Sequence, residues 1–252
     1  MLTDAKYQCF RQFNKLPFEA IASSHYSINT PTAARYFSSD SLQDRLVREL
    51  GRQQVLPVKE ILESFEFFQR ARKYVRAKSM ADLCCGHGLT GILFALFERS
   101  VERVMLVDQR ELPSYAQVLD CAIRVGPWVE DKVQFKILKM KNTAEHIEPC
   151  ASIIATHACG SLSDRCIDCA LQVQGAIALM PCCYPSRMCA APAAIHLAFG
   201  SELAFDIDRT YRLEAAGYSV RWDAIPKEIT PMNRVLLGKV GAGEKGVGLS
   251  AL

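Results

Sequence analysis

Hydrophobic and polar positions divide the chain into two regimes, with the change falling near residue 80. Before it, Ile61, Leu62, Phe65, Phe68, Ala71 and Val75 recur at spacings of one, three and four, which predicts a helix with a broad apolar face over 58–78. Leu42 to Leu50 reads as a shorter amphipathic helix, with Gly51 as its stop. After residue 80 short apolar runs alternate with helical patterns. Strands are expected at 80–85, 103–109, 133–140, 151–159 and 176–183, and helices at 89–100, 114–125 and 161–174. Several of these runs are apolar almost throughout, as strands buried between two helical layers must be. A helix at 204–216 stopped by Gly217, then strands at 218–225 and 233–240, complete the pattern. The fold class expected is α/β: a Rossmann-like seven-stranded sheet, mostly parallel with a late antiparallel strand, and helices on both faces. Residues 1–58 are expected as a partly helical N-terminal arm, 59–240 as the main domain, and 241–252, with four glycines in its 12 residues, as a flexible tail.

The arm contains a turn-rich stretch, Ser23 to Phe37, carrying His25, Tyr26, Tyr36 and Phe37. It reads as an apolar strap over the core, or as a lid or substrate loop. In the latter case His25, Tyr26 and Asn29 join the site.

Composition then narrows the class. Half of the 252 residues are hydrophobic, which excludes a disordered or collagen-like chain and is ample for a buried core. The net charge of +3 is too mild to argue for nucleic acid by itself. The densest basic run, Arg70, Arg72, Lys73, Arg76 and Lys78, reads first as a solvated helix face and second as a phosphate contact. No apolar run reaches 18 residues, so no membrane partner is expected. The 11 cysteines, without a secretory leader, point to free thiols in a reducing setting, cytoplasmic first and nuclear as the alternative.

The chemistry concentrates at the ends of the expected strands. Asp82-Leu83-Cys84-Cys85-Gly86-His87-Gly88-Leu89-Thr90-Gly91 is a strand, a glycine turn and a helix start. Such a turn presents backbone N–H groups to a ligand. Asp108, ending the second strand, suits the hydroxyls of a ribose, a group shared by NAD and S-adenosylmethionine. Asp82 separates the two. A pyrophosphate gains nothing from a carboxylate there, whereas the amino-acid ammonium of a sulfonium donor does.

With this motif the chain resembles the class I S-adenosylmethionine-dependent methyltransferases, Cys84 standing where their first glycine is usual. The resemblance covers about residues 60–240. It implies S-adenosylmethionine as cofactor, with Asp82, Cys84, Gly86, His87 and Gly88 at its methionine end and Asp108 and Gln109 at its ribose. Asn142, between Lys141 and Thr143, would lie beside the adenine, and Thr156 also joins the cofactor set. Two more strand ends, Thr156-His157-Ala158-Cys159-Gly160 and Pro181-Cys182-Cys183-Tyr184, are similar to a branch that includes tRNA 2′-O-methyltransferases of the Trm13 type. The run Ile229-Thr230-Pro231-Met232-Asn233-Arg234 resembles that branch's C-terminal signature.

In a parallel sheet these ends share one rim, so His157, Cys182, Cys183 and Tyr184 are the catalytic candidates. His157 is suited to proton acceptance or substrate orientation. The paired cysteines have three readings: small wall residues, ligands of a metal with His157 or Cys159, or a covalent nucleophile. Adjacent cysteines do not naturally aim at one ion, and no metal ligands are assigned. Arg187 is either an acceptor contact or a solvated cation. The function expected is methyl transfer to a nitrogen or hydroxyl, with RNA or a small aromatic or heterocyclic molecule as acceptor and no obligate protein partner. An NAD-dependent oxidoreductase and an inactive scaffold are the alternatives.

Overall fold

The computed structural model describes residues 5–15, 19–184 and 190–241. The tail expected at 241–252 lies outside them from residue 242 onward, as does Arg187. A 3₁₀ turn at Arg11–Asn14 is followed by α1 (Glu19–Ala22), α2 (Thr30–Tyr36), α3 (Leu42–Gln53) and α4 (Val58–Val75). Then come β1 (Ser79–Leu83), α5 (Leu89–Phe97), β2 (Arg103–Asp108), α6 (Pro113–Val125) and β3 (Val133–Ile137). After β4 (Ser152–Ala155), α7 (Ser161–Val173) and β5 (Ile177–Leu179), the chain ends with α8 (Ala193–Ala215), β6 (Tyr218–Ala224) and β7 (Arg234–Val240).

The seven strands form one sheet in the order β3-β2-β1-β4-β5-β7-β6. Only β7 runs against its neighbours, pairing antiparallel with β5 and β6. The sequence therefore folds as the α/β class expected of it. Strand residues alternate between the two faces with period two. Met80, Val104, Leu106 and Ile154 join the core under α3 to α6, while Ala81, Leu83, Val107 and Ile153 join the core under α7. The order reverses between β1 and β4, and at such a switch point the strand ends diverge and leave a crevice. Three strands end well before their expected limits. β3 stops at Ile137, β4 at Ala155 and β5 at Leu179, so the residues that follow bend away into the rim.

Three further expectations are corrected. Gly51 does not stop α3, which continues to Gln53 and ends on left-handed Gln54. Gly51 is there for packing: a Cβ would lie 2.7 Å from Ala33 Cβ of α2. The last helix begins at Ala193, well before residue 204, with a kink at Gly200; exposed Leu197 and Phe199 blur its amphipathic pattern. The basic run is a solvated face only at Lys73, Arg76 and Lys78, which are exposed. Arg70 is buried against Glu66, at 2.5 Å, and Asp223, while Arg72 and Arg76 both reach Glu98.

Residues 5–15 and 21–56 contribute to the same apolar core as α4, α5 and α6. Phe10, Phe37, Leu46 and Leu50 are fully buried, and the Phe10 ring meets those of Phe13, Phe37 and Phe65 at 5.8, 5.0 and 5.1 Å. Tyr26, by contrast, is 85% exposed. Among the described residues no helix is long and apolar enough to cross a membrane.

Candidate active site

The cleft opens at the carboxyl ends of β1, β2 and β4. Its volume is about 290 Å³, and its walls include Cys84, Gly86, Asp108, Gln109, His157 and Cys159. One side is apolar, built from Val107, Leu138, Met140 and Leu162.

The floor follows from the turn after β1. Cys84, Gly86 and Gly88 all have positive φ, at 55°, 55° and 75°. The cysteine thus adopts the left-handed conformation that glycine takes without strain, in a turn that its neighbours fix. Gly91 serves a different need. A Cβ there would sit 2.4 Å from Leu106 Cδ2 and 3.1 Å from Asp82 Cβ, so its absence lets α5 press onto the sheet. That approach brings the Gly91 N–H to Asp82 Oδ2 at 2.8 Å. One oxygen of Asp82 is thereby spent on the first turn of α5, where a carboxylate complements the helix dipole. The other, Oδ1, is buried without a hydrogen-bond partner among the described residues. Burial pushes the Asp82 carboxyl up to about 7, against the smaller opposing effect of the Gly91 N–H.

Asp108 is held from two sides. Oδ2 accepts from the Gly86 N–H at 3.0 Å and Oδ1 from its own neighbour Gln109 at 2.7 Å. A carboxylate has about four acceptor positions, so lone pairs remain for a ribose. The orphaned Asp82 Oδ1, the N–H-lined turn and the free capacity of Asp108 together fit a donor bearing an ammonium and a ribose.

His87 is buried beside this floor. Its Nδ1 accepts from the Leu89 N–H at 3.1 Å, which places the ring proton on Nε2, 3.1 Å from Glu60 Oε2. That contact holds the Glu60 carboxyl below its ordinary value. Glu60 was invisible as a site residue in the sequence, being one more acidic position at the start of an amphipathic helix. His157 stands across from His87, ring centroids 6.5 Å apart. Burial, the largest influence, keeps the imidazole below its usual range despite Glu63 nearby. Its Nε2 has no hydrogen-bond partner among the described residues. Thr156 is buried, its hydroxyl 3.4 Å from that of Thr90.

Other candidates lie differently. Asn142 is exposed on a 3₁₀ turn outside the cleft, whose wall there is made by Leu138 and Met140. Tyr184 packs toward α8, against Phe205 at 5.8 Å, with the guanidinium groups of Arg209 and Arg234 over its ring at 5.8 and 5.5 Å. Asn233 Nδ2 donates to the Ile225 carbonyl and braces the β6–β7 connection, whereas Arg234 pairs with Asp206 at 2.5 Å and ties β7 to α8. Cys182 and Cys183 come close to Cys159, and their three Sγ atoms lie within 4.8 Å of one another. His25, Tyr26 and Asn29 do not line the cleft, and Asn29 caps α2.

A comparison with curated proteins finds no match. Among solved structures, a protein from Corynebacterium glutamicum is similar over 82% of this chain and 93% of its own, at 10% identity and a TM-score of 0.51. The tRNA (uracil-54, C5)-methyltransferase of Pyrococcus abyssi, solved with S-adenosyl-L-homocysteine, is similar over 71% of this chain at 13% identity and a TM-score of 0.42. This chain spans only 38% of that protein. A fibrillarin/Nop5p complex is similar at 10% identity and a TM-score of 0.42, over 65% of this chain and 73% of its own. At these identities the likeness concerns the fold. Residues 53–187 match the family model described as a methyltransferase domain, 135 of the 252 residues. The chain therefore belongs to that family, as an S-adenosylmethionine-dependent methyltransferase of class I topology.

Proposed function

We propose that the enzyme methylates a nitrogen or hydroxyl acceptor, with RNA as the leading substrate class, and that His157 works on the acceptor side. The observation that carries this reading is the placement of His157 and Cys159 in one cleft with Asp108 and the turn at Cys84 and Gly86. The bound donor supplies an electrophilic methyl on its sulfonium. Asp82 Oδ1 pairs with the donor's ammonium, Asp108 and Gln109 hold its ribose, and Leu138 and Met140 flank its base. His157, kept neutral by burial, accepts the proton that an N–H or O–H acceptor loses as it is methylated. Alignment of the acceptor in the cleft provides much of the rate, and the imidazole removes the charge that accumulates.

RNA rests on the resemblance of the His157–Gly160, Cys182–Tyr184 and Ile229–Arg234 motifs to the Trm13-type branch. A small aromatic or heterocyclic acceptor is the second reading, favoured by one feature. Arg70, Arg72 and Arg76 are committed to internal carboxylates, so the run that would have gripped phosphates is largely spent. Incubation with isotope-labelled donor, separately with total RNA and with a metabolite extract, decides between them. Label in nucleosides digested from the RNA supports the first, and label confined to a small molecule supports the second. Donor binding without turnover in both pools would overturn the catalytic reading in favour of a scaffold.

A further inference from the structure

Cys159 follows β4, and Cys182 and Cys183 follow β5, and these strands are parallel neighbours through Ile153 with Ile177 and Ala155 with Leu179. Both strands end early, so the two segments turn toward each other above the sheet. The result is unexpected for adjacent cysteines: the Sγ atoms of Cys159, Cys182 and Cys183 all lie within 4.8 Å of one another. The Gly160 N–H donates to Cys183 Sγ at 3.1 Å, a contact that favours sulfur carrying negative charge. Sulfurs bound to one zinc ion at about 2.3 Å in tetrahedral geometry stand roughly 3.8 Å apart, so small side-chain rotations close this triangle on an ion. Cys182 and Cys183 are partly buried, and Cys159 is exposed and lines the donor cleft.

The better-spaced Cys166-x-x-Cys169 pair does not compete. Both residues lie on α7 and are buried in the apolar core beneath the sheet. Their role is packing.

We propose that Cys159, Cys182 and Cys183 form a three-thiolate site for a zinc-class divalent cation at the rim of the cleft. Three protein sulfurs leave one position of a tetrahedral ion for water or for a heteroatom of the acceptor. Binding is not a redox step. Each sulfur forms a bond to the ion and its proton passes to solvent, so three protons leave per ion bound. The site is independent of the donor, and only the assignment of its fourth position rests on the methyltransferase reading.

The test is titration of the reduced, chelator-treated full-length protein with Co²⁺. One equivalent produces a thiolate-to-cobalt charge-transfer band, which Zn²⁺ then removes. Proton uptake by a weak buffer reports close to three protons per ion. Cys159→Ser and Cys182→Ser each weaken the metal at least tenfold, whereas Cys169→Ser leaves it unchanged. Far-ultraviolet circular dichroism on every variant shows whether the fold survives, and calorimetry on the wild type measures S-adenosylmethionine binding. A wild-type protein without the band at stoichiometric cobalt overturns the site. A band that persists in both Cys159→Ser and Cys182→Ser does the same, as does a disulfide among the three thiols that resists mild reduction. If the band forms but the donor does not bind, the metal site stands and the proposed function falls.

Discussion

Asp82 spends one oxygen on the first turn of α5 and leaves the other without a hydrogen-bond partner among the described residues, and burial gives the carboxyl a pH signature. Its carboxyl, normally near 3.8, is raised to about 7 by burial. In the donor-free protein the folded state therefore holds a proton that the unfolded state has lost once the pH exceeds about 4. Stability falls between about pH 4 and 7 and levels off above. An ammonium beside Oδ1 favours the carboxylate, so donor binding expels this proton. Donor affinity measured by calorimetry should weaken below pH 7, by up to about tenfold per unit, and Asp82→Asn should flatten the profile. Asp108→Ala should weaken the donor roughly 10- to 100-fold, as loss of charged hydrogen bonds does. His157→Ala should keep donor binding and lose turnover. Unchanged turnover in that variant removes His157 from the mechanism.

At this scale the sequence was readable where chemistry is local. Cys84 and Gly86 of the turn after β1 meet Asp108 of β2 in one cleft because neighbouring parallel strands end on the same rim, with Asp82 buried beneath them. What could not be read were pairings made across the fold. His87 with Glu60 of α4, and Tyr184 with Arg209 of α8 and Arg234 of β7, are such pairs, whereas the shared rim had already put Cys159 near Cys182 and Cys183.

Among the elements, α4 carries the largest polar commitment. The Glu66 carboxylate, fully buried, accepts from the N–H groups of Gln8, Cys9 and Phe10 at 3.0, 2.9 and 3.3 Å and pairs with Arg70. Arg70 in turn reaches the carbonyls of Lys6 and Ala224. Glu66→Ala leaves three N–H groups without their acceptor and takes from the buried Arg70 its closest carboxylate, and should cost about 3–5 kcal/mol in urea unfolding. Lys78→Ala, which removes an exposed partner of Glu102, should leave the urea midpoint where it is. An apolar stripe at helical spacing revealed α4 itself. The charges on it looked solvated because sequence spacing gives the helix face but not the carboxylates that arrive from β6 and from the end of α5. The start of α3 at Leu42 was legible from its amphipathic spacing, while its end was misplaced at Gly51, which is small to admit α2.

For the molecule as a whole, the alternation of strands and helices made the seven-stranded sheet legible, including the late antiparallel strand. The connections were less so, because apolar runs continue past the points where the strands part. The described residues before α4 were hard to read for the opposite reason: they lack a long period, yet Phe10, Phe13 and Phe37 are buried in the core over α4. Phe10 meets three other rings, so Phe10→Ala should cost about 3–5 kcal/mol. Its unfolding should remain one transition by near- and far-ultraviolet circular dichroism. A separate early transition would show that this segment melts apart from the sheet.

The contact between Arg70 and the Ala224 carbonyl spans 154 residues. On a ribosome adding about 5–20 residues per second, that carbonyl arrives on the order of 10–30 s after the arginine. Throughout that interval the N-terminal segment and α4 are already made, while the last acceptor for the guanidinium does not exist. Native closure of this corner is thus an event of late synthesis, and nascent chains halted before residue 224 should be protease-sensitive at their beginning as well as at their growing end.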